Sequence, residues 1–266
     1  MEQLPWAAGV AILNAAGARF AWALAASQLK IRYRHTTLGI AWTLVEPLLY
    51  LGVLSLVFSA VNRVSLEGYA AFVFCGLVPW RYLESSANSG MESIVGGDWL
   101  LKKMHISAAV FPVARWLSAS VEFALAFVLL IAIVLWLRPG SGLELAALPA
   151  AVIVWAAGAL GLGMVLAVAY TFFRDIKPIA HMVLLLAFFS SPILIMPEAL
   201  PPDSLPAALM GWHPLTYFTA LFQKPLYYHA MPGPLDWGVS ATVSASLLLA
   251  GAALIRRFGS KFYFYL

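Results

Sequence analysis

The feature that most constrains this chain is a series of apolar stretches about twenty residues long, with most of the Lys and Arg confined to the gaps. Six such stretches are read, at about 38–60, 69–88, 115–137, 148–173, 178–196 and 237–255. Each is close to the ~20 residues a helix needs to cross ~30 Å of hydrocarbon. Composition agrees. Hydrophobic residues make up 62% of the 266 and charged residues 11%, and mean hydropathy is +0.87. A soluble domain is roughly 45–50% apolar and about 25% charged. A soluble core of this size could not bury so much apolar side chain, so a soluble enzyme is excluded, and so is a disordered chain.

The net charge of +4 does not point to nucleic acid, because its sources are distributed as orientation signals. With the N-terminus inside, the cytoplasmic flanks hold Lys30, Arg32, Arg34, Lys102, Lys103, Arg174, Lys177, Arg256, Arg257 and Lys261. The outer flanks hold Arg63, Arg138 and Lys224. Both termini are therefore expected in the cytoplasm. The first ten residues carry no Lys or Arg, unlike a signal peptide. Cys75 is the lone cysteine and reads as packing.

Three segments outside the spans stand out. Residues 12–34 are apolar but end in alternating cations, Lys30, Arg32 and Arg34. They read either as an amphipathic helix in the cytoplasmic interface or as a plain juxtamembrane anchor. Residues 91–105 read as a short cytoplasmic amphipathic helix, weakened by Gly96-Gly97. Residues 192–234 hold nine of the sixteen prolines yet are rich in aromatics. Broken helices re-entering the outer leaflet would fit, provided protein covers their backbone. An aromatic belt at the surface is the other reading.

Catalytic and metal motifs are missing. There is no phosphate-binding loop ending in Gly-Lys-Ser/Thr, no His-Glu-x-x-His and no Gly-x-Ser-x-Gly elbow. The ionisable residues inside spans are more informative, because placing them in lipid is costly. Counting ~1.5 Å per residue, Glu46, Arg81, Glu84 and Glu122 fall in one layer of the inner half. Arg81 is expected to pair with Glu46, Glu84 or Glu122. The layer is either a structural lock or a gate lining a polar path. Gly158, Gly161 and Gly163 read as helix-packing positions.

The run Lys30-Ile-Arg-Tyr-Arg-His-Thr-Thr-Leu-Gly-Ile-Ala-Trp42, followed by Glu46-Pro47, resembles the start of the first span in type-2 ABC exporter permeases of bacterial polysaccharides. Gly76-Leu77-Val78-Pro79-Trp80, Ser93-Ile94-Val95, Leu100-Leu101-Lys102-Lys103 and Trp212-His213-Pro214-Leu215-Thr216 resemble later motifs of that family, in order. Two positions depart from it. Ile106-Ser107-Ala108-Ala109 replaces a Phe-Pro and charges, and His213 stands where the family commonly has Asn.

The resemblance implies an all-α polytopic membrane protein: one transmembrane domain of six helices, an N-terminal interfacial helix, a cytoplasmic coupling helix and re-entrant helices before the last span. It implies the permease of an exporter of lipid-linked glycan, similar to those for O-antigen, capsule or teichoic acid, in the bacterial inner membrane. The chain would form a homodimer and bind two copies of a separate ATPase, which would carry ATP and Mg; this chain itself would hold no cofactor. Glu92, Asp98, Trp99, Lys102 and Lys103 would face the ATPase. Lys30, Arg32 and Arg34 would meet the substrate phosphate or, equally, lipid headgroups. Tyr and Trp faces suit sugar rings, so Trp212, Tyr217, Tyr227 and Tyr228, with His213, are candidates for the outer gate or for guiding the glycan. A drug or small-lipid exporter, a secondary transporter and a membrane enzyme for lipid-linked sugars are the competing readings.

Overall fold

The computed structural model describes residues 15–34, 36–103, 106–140, 142–201, 203–259 and 261–265. Every regular element among them is helical. In chain order these are α1 (Ala15–Tyr33), α2 (Trp42–Asn62), α3 (Leu66–Met91), α4 (Ser93–Gly96), α5 (Asp98–Lys103) and α6 (Val110–Leu137). They are followed by α7 (Leu148–Phe172), α8 (Ile176–Ser190), α9 (Leu205–Trp212), α10 (Pro214–Leu226), α11 (Pro234–Phe258) and α12 (Phe262–Tyr265).

Four helical stretches are long and apolar enough to cross a membrane: Gly39–Asn62, Val110–Leu137, Leu143–Phe172 and Pro234–Phe258. The other two expected spans differ for distinct reasons. α3 is 26 residues long, but it carries Glu67, Arg81 and Glu84 and ends in a Ser/Asn-rich stretch. It is also the central helix, buried without a break from Ala71 to Trp80, so protein rather than lipid surrounds it. α8 is apolar but has 15 residues, about 22 Å of helix at 1.5 Å per residue. The expected span 178–196 loses its last turns because Pro192 cannot donate to a helical ladder.

Local signals set the element ends. Arg63 adopts a left-handed φ of 56° and closes α2. Ser65 then caps α3, its hydroxyl accepting from the Gly68 N–H at 3.1 Å. Asp236 sits in the first turn of α11, where a carboxylate complements the helix dipole. It accepts from the Gly233 N–H at 2.6 Å and from Lys224 at 2.5 Å.

The core surrounds α3, which packs on α2, α6, α7 and α10. Trp155 of α7 donates to the Pro79 carbonyl at 2.8 Å and meets Phe218 and Phe222 of α10 edge-on at 5.0 and 5.9 Å. The α7–α11 crossing depends on absent side chains. A Cβ at Gly161 would lie 2.4 Å from the Leu248 backbone nitrogen, and one at Gly158 2.8 Å from Ser244 Oγ. A Cβ at Gly90 would likewise strike Gly163 at 2.9 Å, so α3 and α7 also touch backbone to backbone. In lipid, such close packing replaces the hydrophobic drive between helices. α1 lies along α6 through Ala21 and Ala25, both fully buried. Residues 12–14 of the expected interfacial helix, and the N-terminal run before it, lie outside the described residues.

Candidate functional site

The start of α2, the C-terminal half of α3, the middle of α6 and the basic end of α1 line a cavity of about 390 Å³. Its charges are arranged in two clusters. Arg81 of α3 pairs with Glu46 of α2 and with Glu84 one turn along, at 3.4 Å. Its guanidinium also stacks over the Tyr50 ring at 4.9 Å. Glu122 of α6, the third expected partner, is engaged elsewhere: Arg32 Nη1 donates to both of its oxygens at 2.7 Å. Tyr33 adds a bond to Glu122 at 2.8 Å and contacts Thr43 Oγ1 at 3.0 Å. Burial raises the Tyr33 phenol above its ordinary pKa, so it is a neutral hydroxyl here.

The expected inner layer is therefore one site: Glu46, Arg81, Glu84 and Glu122 all line the cavity. Arg32 belongs to it as well: like Lys30 and Arg34 it is exposed on α1, but its guanidinium reaches Glu122. The reason is helical period. Arg32 lies seven residues beyond Ala25 on the face of α1 that Ala21 and Ala25 bury (i, i+4, i+11 from Ala21), whereas Lys30 and Arg34 do not. Tyr33, Trp42, Tyr82 and Asn88 also line the cavity. None is charged, so a search for ionisable residues inside spans passes over them.

The expected cytoplasmic helix over 91–105 is two short helices, α4 and α5, meeting at Gly97. A Cβ there would lie 2.3 Å from the Phe111 ring, so the chain turns where only Gly fits against α6. Ile94 and Leu101 are buried beneath the pair. Trp99 is 57% exposed, with the Lys103 ammonium 5.9 Å from its ring. Asp98 and Lys102 pair at 3.2 Å. Glu92 binds Lys177 of α8 at 2.5 Å, so it ties α4 to α8 besides facing outward. Met104 and His105 lie outside the described residues.

The expected outer segment does not gather all five of its candidates. Trp212 projects at 88% exposure, while Tyr227 is in the core, edge-on to Phe72 at 5.3 Å and 4.4 Å from the Arg138 guanidinium. Tyr217 donates to the Gly211 carbonyl at 3.1 Å, and Tyr228 to Glu198 at 3.1 Å. His213 caps α10, its Nδ1 accepting from the Leu215 N–H at 3.2 Å. Burial lowers its pKa, which favours the neutral form this bond requires. Tyr227 and Tyr228, which follow α10, meet edge-on at 4.9 Å, whereas Trp212 ends α9 and Tyr217 lies on α10, so the set does not form one surface.

What the outer segment does build is a clamp. Residues 191–194 and Met196 are buried yet not helical. Asn62 Nδ2 and the Tyr69 hydroxyl both donate to the Leu194 carbonyl, at 3.1 and 2.7 Å. Asn62 Oδ1 accepts from the Met196 N–H at 2.7 Å. Gln223 Nε2 donates to the Pro192 carbonyl at 2.7 Å. Three side chains from α2, α3 and α10 thus satisfy an irregular backbone that would otherwise be an unpaired polar strand in an apolar surround. Neutral amides at helix ends were the available signal, and the charge pattern concealed it.

The sequence model of the ABC-2 type transporter family matches residues 19–227, from α1 through the clamp to the end of α10. The chain belongs to the ABC-2 type transporter family. Among the relatives of this ABC-2 chain is the O-antigen export system permease protein RfbA of Myxococcus xanthus, 27% identical over 227 residues, 85% of this chain and 87% of that protein. The protein of the same name from Klebsiella pneumoniae is 25% identical over 70% of this chain and 76% of its own. The polysialic acid transport protein KpsM of Escherichia coli is 24% identical over 88% of this chain and 91% of its own. The ABC-2 match spans the inner cavity, α4 and α5, and the clamp alike.

Proposed function

We propose that this chain is the membrane-spanning permease subunit of an ATP-driven exporter that moves lipid-linked polysaccharide, O-antigen-like, from the cytoplasm across the bacterial inner membrane. The observation that carries the reading is the family match over residues 19–227, joined to relatives named for O-antigen export that align over most of the chain. The polysialic acid relatives make capsular polysaccharide the second reading.

In this scheme the chain crosses the membrane six times, with α3 and α8 as the second and fifth crossings and both termini in the cytoplasm. Two copies pair, and each binds one ATPase subunit through the exposed surface of α5: Asp98, Trp99, Lys102 and Lys103. ATP and Mg reside on that subunit. The Glu92–Lys177 bond supports a route for its motion. Displacement of α4 draws on the start of α8, and α8 runs to the clamped segment at the opposite end. Lys30 and Arg34, exposed at the end of α1, attract the substrate's phosphate, as cations do at a headgroup surface. α9 and α10 dip into the outer leaflet and close the exit.

Co-purification with the ATPase subunit tests this. The expected result is a two-plus-two complex whose ATP turnover and assembly are lost when Trp99, Lys102 and Lys103 are replaced together by Ala. A permease that transports without ATP or any ATPase partner would overturn it.

A further inference from the structure

The cavity between α1, α2, α3 and α6 has a chemistry that the phosphate end of a lipid-linked glycan does not match. Its lining carries three carboxylates, Glu46, Glu84 and Glu122, against two guanidiniums, Arg32 and Arg81. That leaves a formal excess of one negative charge. Both guanidiniums are already bonded to carboxylates. The phosphate that joins carrier lipid to sugar is anionic, so it would have to displace a carboxylate from its cation and then sit beside it.

The same lining suits a neutral polyhydroxyl ring. Carboxylate oxygens accept two hydrogen bonds each, or more, and so hold neighbouring hydroxyls. Glu46 and Glu84 keep side-chain exposures of 51% and 33%, so part of their acceptor capacity is open. Asn88 lines the cavity too, and its Oδ1 is buried with no hydrogen-bond partner among the described residues. Trp42 gives an indole face that is 43% exposed, on which the C–H face of a sugar can lie. A volume of about 390 Å³ is in the range of small-ligand sites, ~300–1,000 Å³.

We infer that this cavity is a sugar subsite: it takes the carrier-proximal sugar of the substrate through Glu46, Glu84, Asn88 and Trp42, and excludes the phosphate. The inference rests on the exporter reading above. It divides recognition in two, with the phosphate on the exposed cations of α1 and the first sugar ring inside. A carrier lipid without its glycan would then engage only half the site.

The test is equilibrium binding to the full-length permease in nanodiscs. The probes are a radiolabelled polyprenyl diphosphate, bare, and a panel of the same lipid bearing one neutral hexose or N-acetylhexosamine. At least one glycosylated probe should bind about ten-fold tighter than the bare lipid, the equivalent of one charge-assisted hydrogen bond. Trp42→Ala and Glu84→Gln should bring that preference to within about two-fold while the bare lipid's affinity stays unchanged. Trp42→Phe, which keeps a ring, should retain it. Equal binding of all probes, or a preference that survives both Trp42→Ala and Glu84→Gln, would overturn the subsite and leave the exporter reading standing. Failure of every probe to bind the wild-type chain would overturn both.

Discussion

Asn62→Leu is the sharpest probe of how this membrane protein holds a non-helical segment in its core. Leu keeps the branching and heavy-atom count of Asn but has bulkier methyl ends. At a site 5% exposed it therefore adds some overpacking to the change that matters, which is in hydrogen bonding. The Met196 N–H loses its acceptor at 2.7 Å in a buried setting. A buried donor left without a partner costs about 1–3 kcal/mol. The Leu194 carbonyl loses the Asn62 amide but keeps the Tyr69 hydroxyl. Tyr69→Phe alone is the mirror case: that carbonyl keeps Asn62, and the loss is about 0.5–1.5 kcal/mol. In the double variant the carbonyl is orphaned, which neither single variant does. The cycle should therefore be non-additive, the double change exceeding the sum by about 1 kcal/mol. Cys75 is fully buried and is the sole thiol, so a thiol-reactive dye reports unfolding in detergent directly. At about 2–4 °C per kcal/mol for a chain of this size, Asn62→Leu should lower the midpoint by several degrees. An unchanged midpoint for Asn62→Leu, or strict additivity in the cycle, would refute the clamp.

Other predictions follow from single contacts. His213 accepts through Nδ1 and has a depressed pKa from burial; its capping contribution is therefore present above the unfolded-state value and lost as pH falls through the lower folded-state value. Acidification should destabilise the wild type by about 0.5–2 kcal/mol, the worth of an N-cap, and His213→Asn should cap at every pH and flatten that profile in the same dye assay. Gly97→Ala should cost about 1–3 kcal/mol by overpacking against Phe111 and impair ATPase assembly; Phe111→Leu should restore both, and a double variant no better than Gly97→Ala would disprove the contact. Arg32→Glu should free α1 from α6, seen as faster hydrogen exchange over residues 15–34, and adding Glu122→Arg should reverse it by rebuilding the pair in the opposite sense.

Particular residues show where sequence reading reaches its limit. Gly158, Gly161 and Gly163 were legible as packing positions because close helix approach leaves few alternatives to Gly. The inner carboxylate layer was legible because a charge in an apolar run must find company. Which company was not. Glu122 goes to Arg32 rather than Arg81, a choice set by how α1 lies on α6, and no spacing along the chain encodes that angle. The aromatic set Trp212, Tyr217, Tyr227 and Tyr228 looked like one surface because its members are close in sequence. Trp212, at the end of α9, projects outward, while Tyr227, just past the end of α10, turns into the core.

The chain by itself determined that it is helical and membrane-bound, because hydropathy and length are properties of linear stretches. The tertiary structure decided which polar groups meet. It made one cavity between four helices, broke the 91–105 element at Gly97 against the Phe111 ring, and placed Asn62, Tyr69 and Gln223 around one irregular segment. Those outcomes depend on distances between residues up to 134 positions apart. Only the packed bundle sets such distances, since a hydrogen bond is won or lost over a few tenths of an ångström.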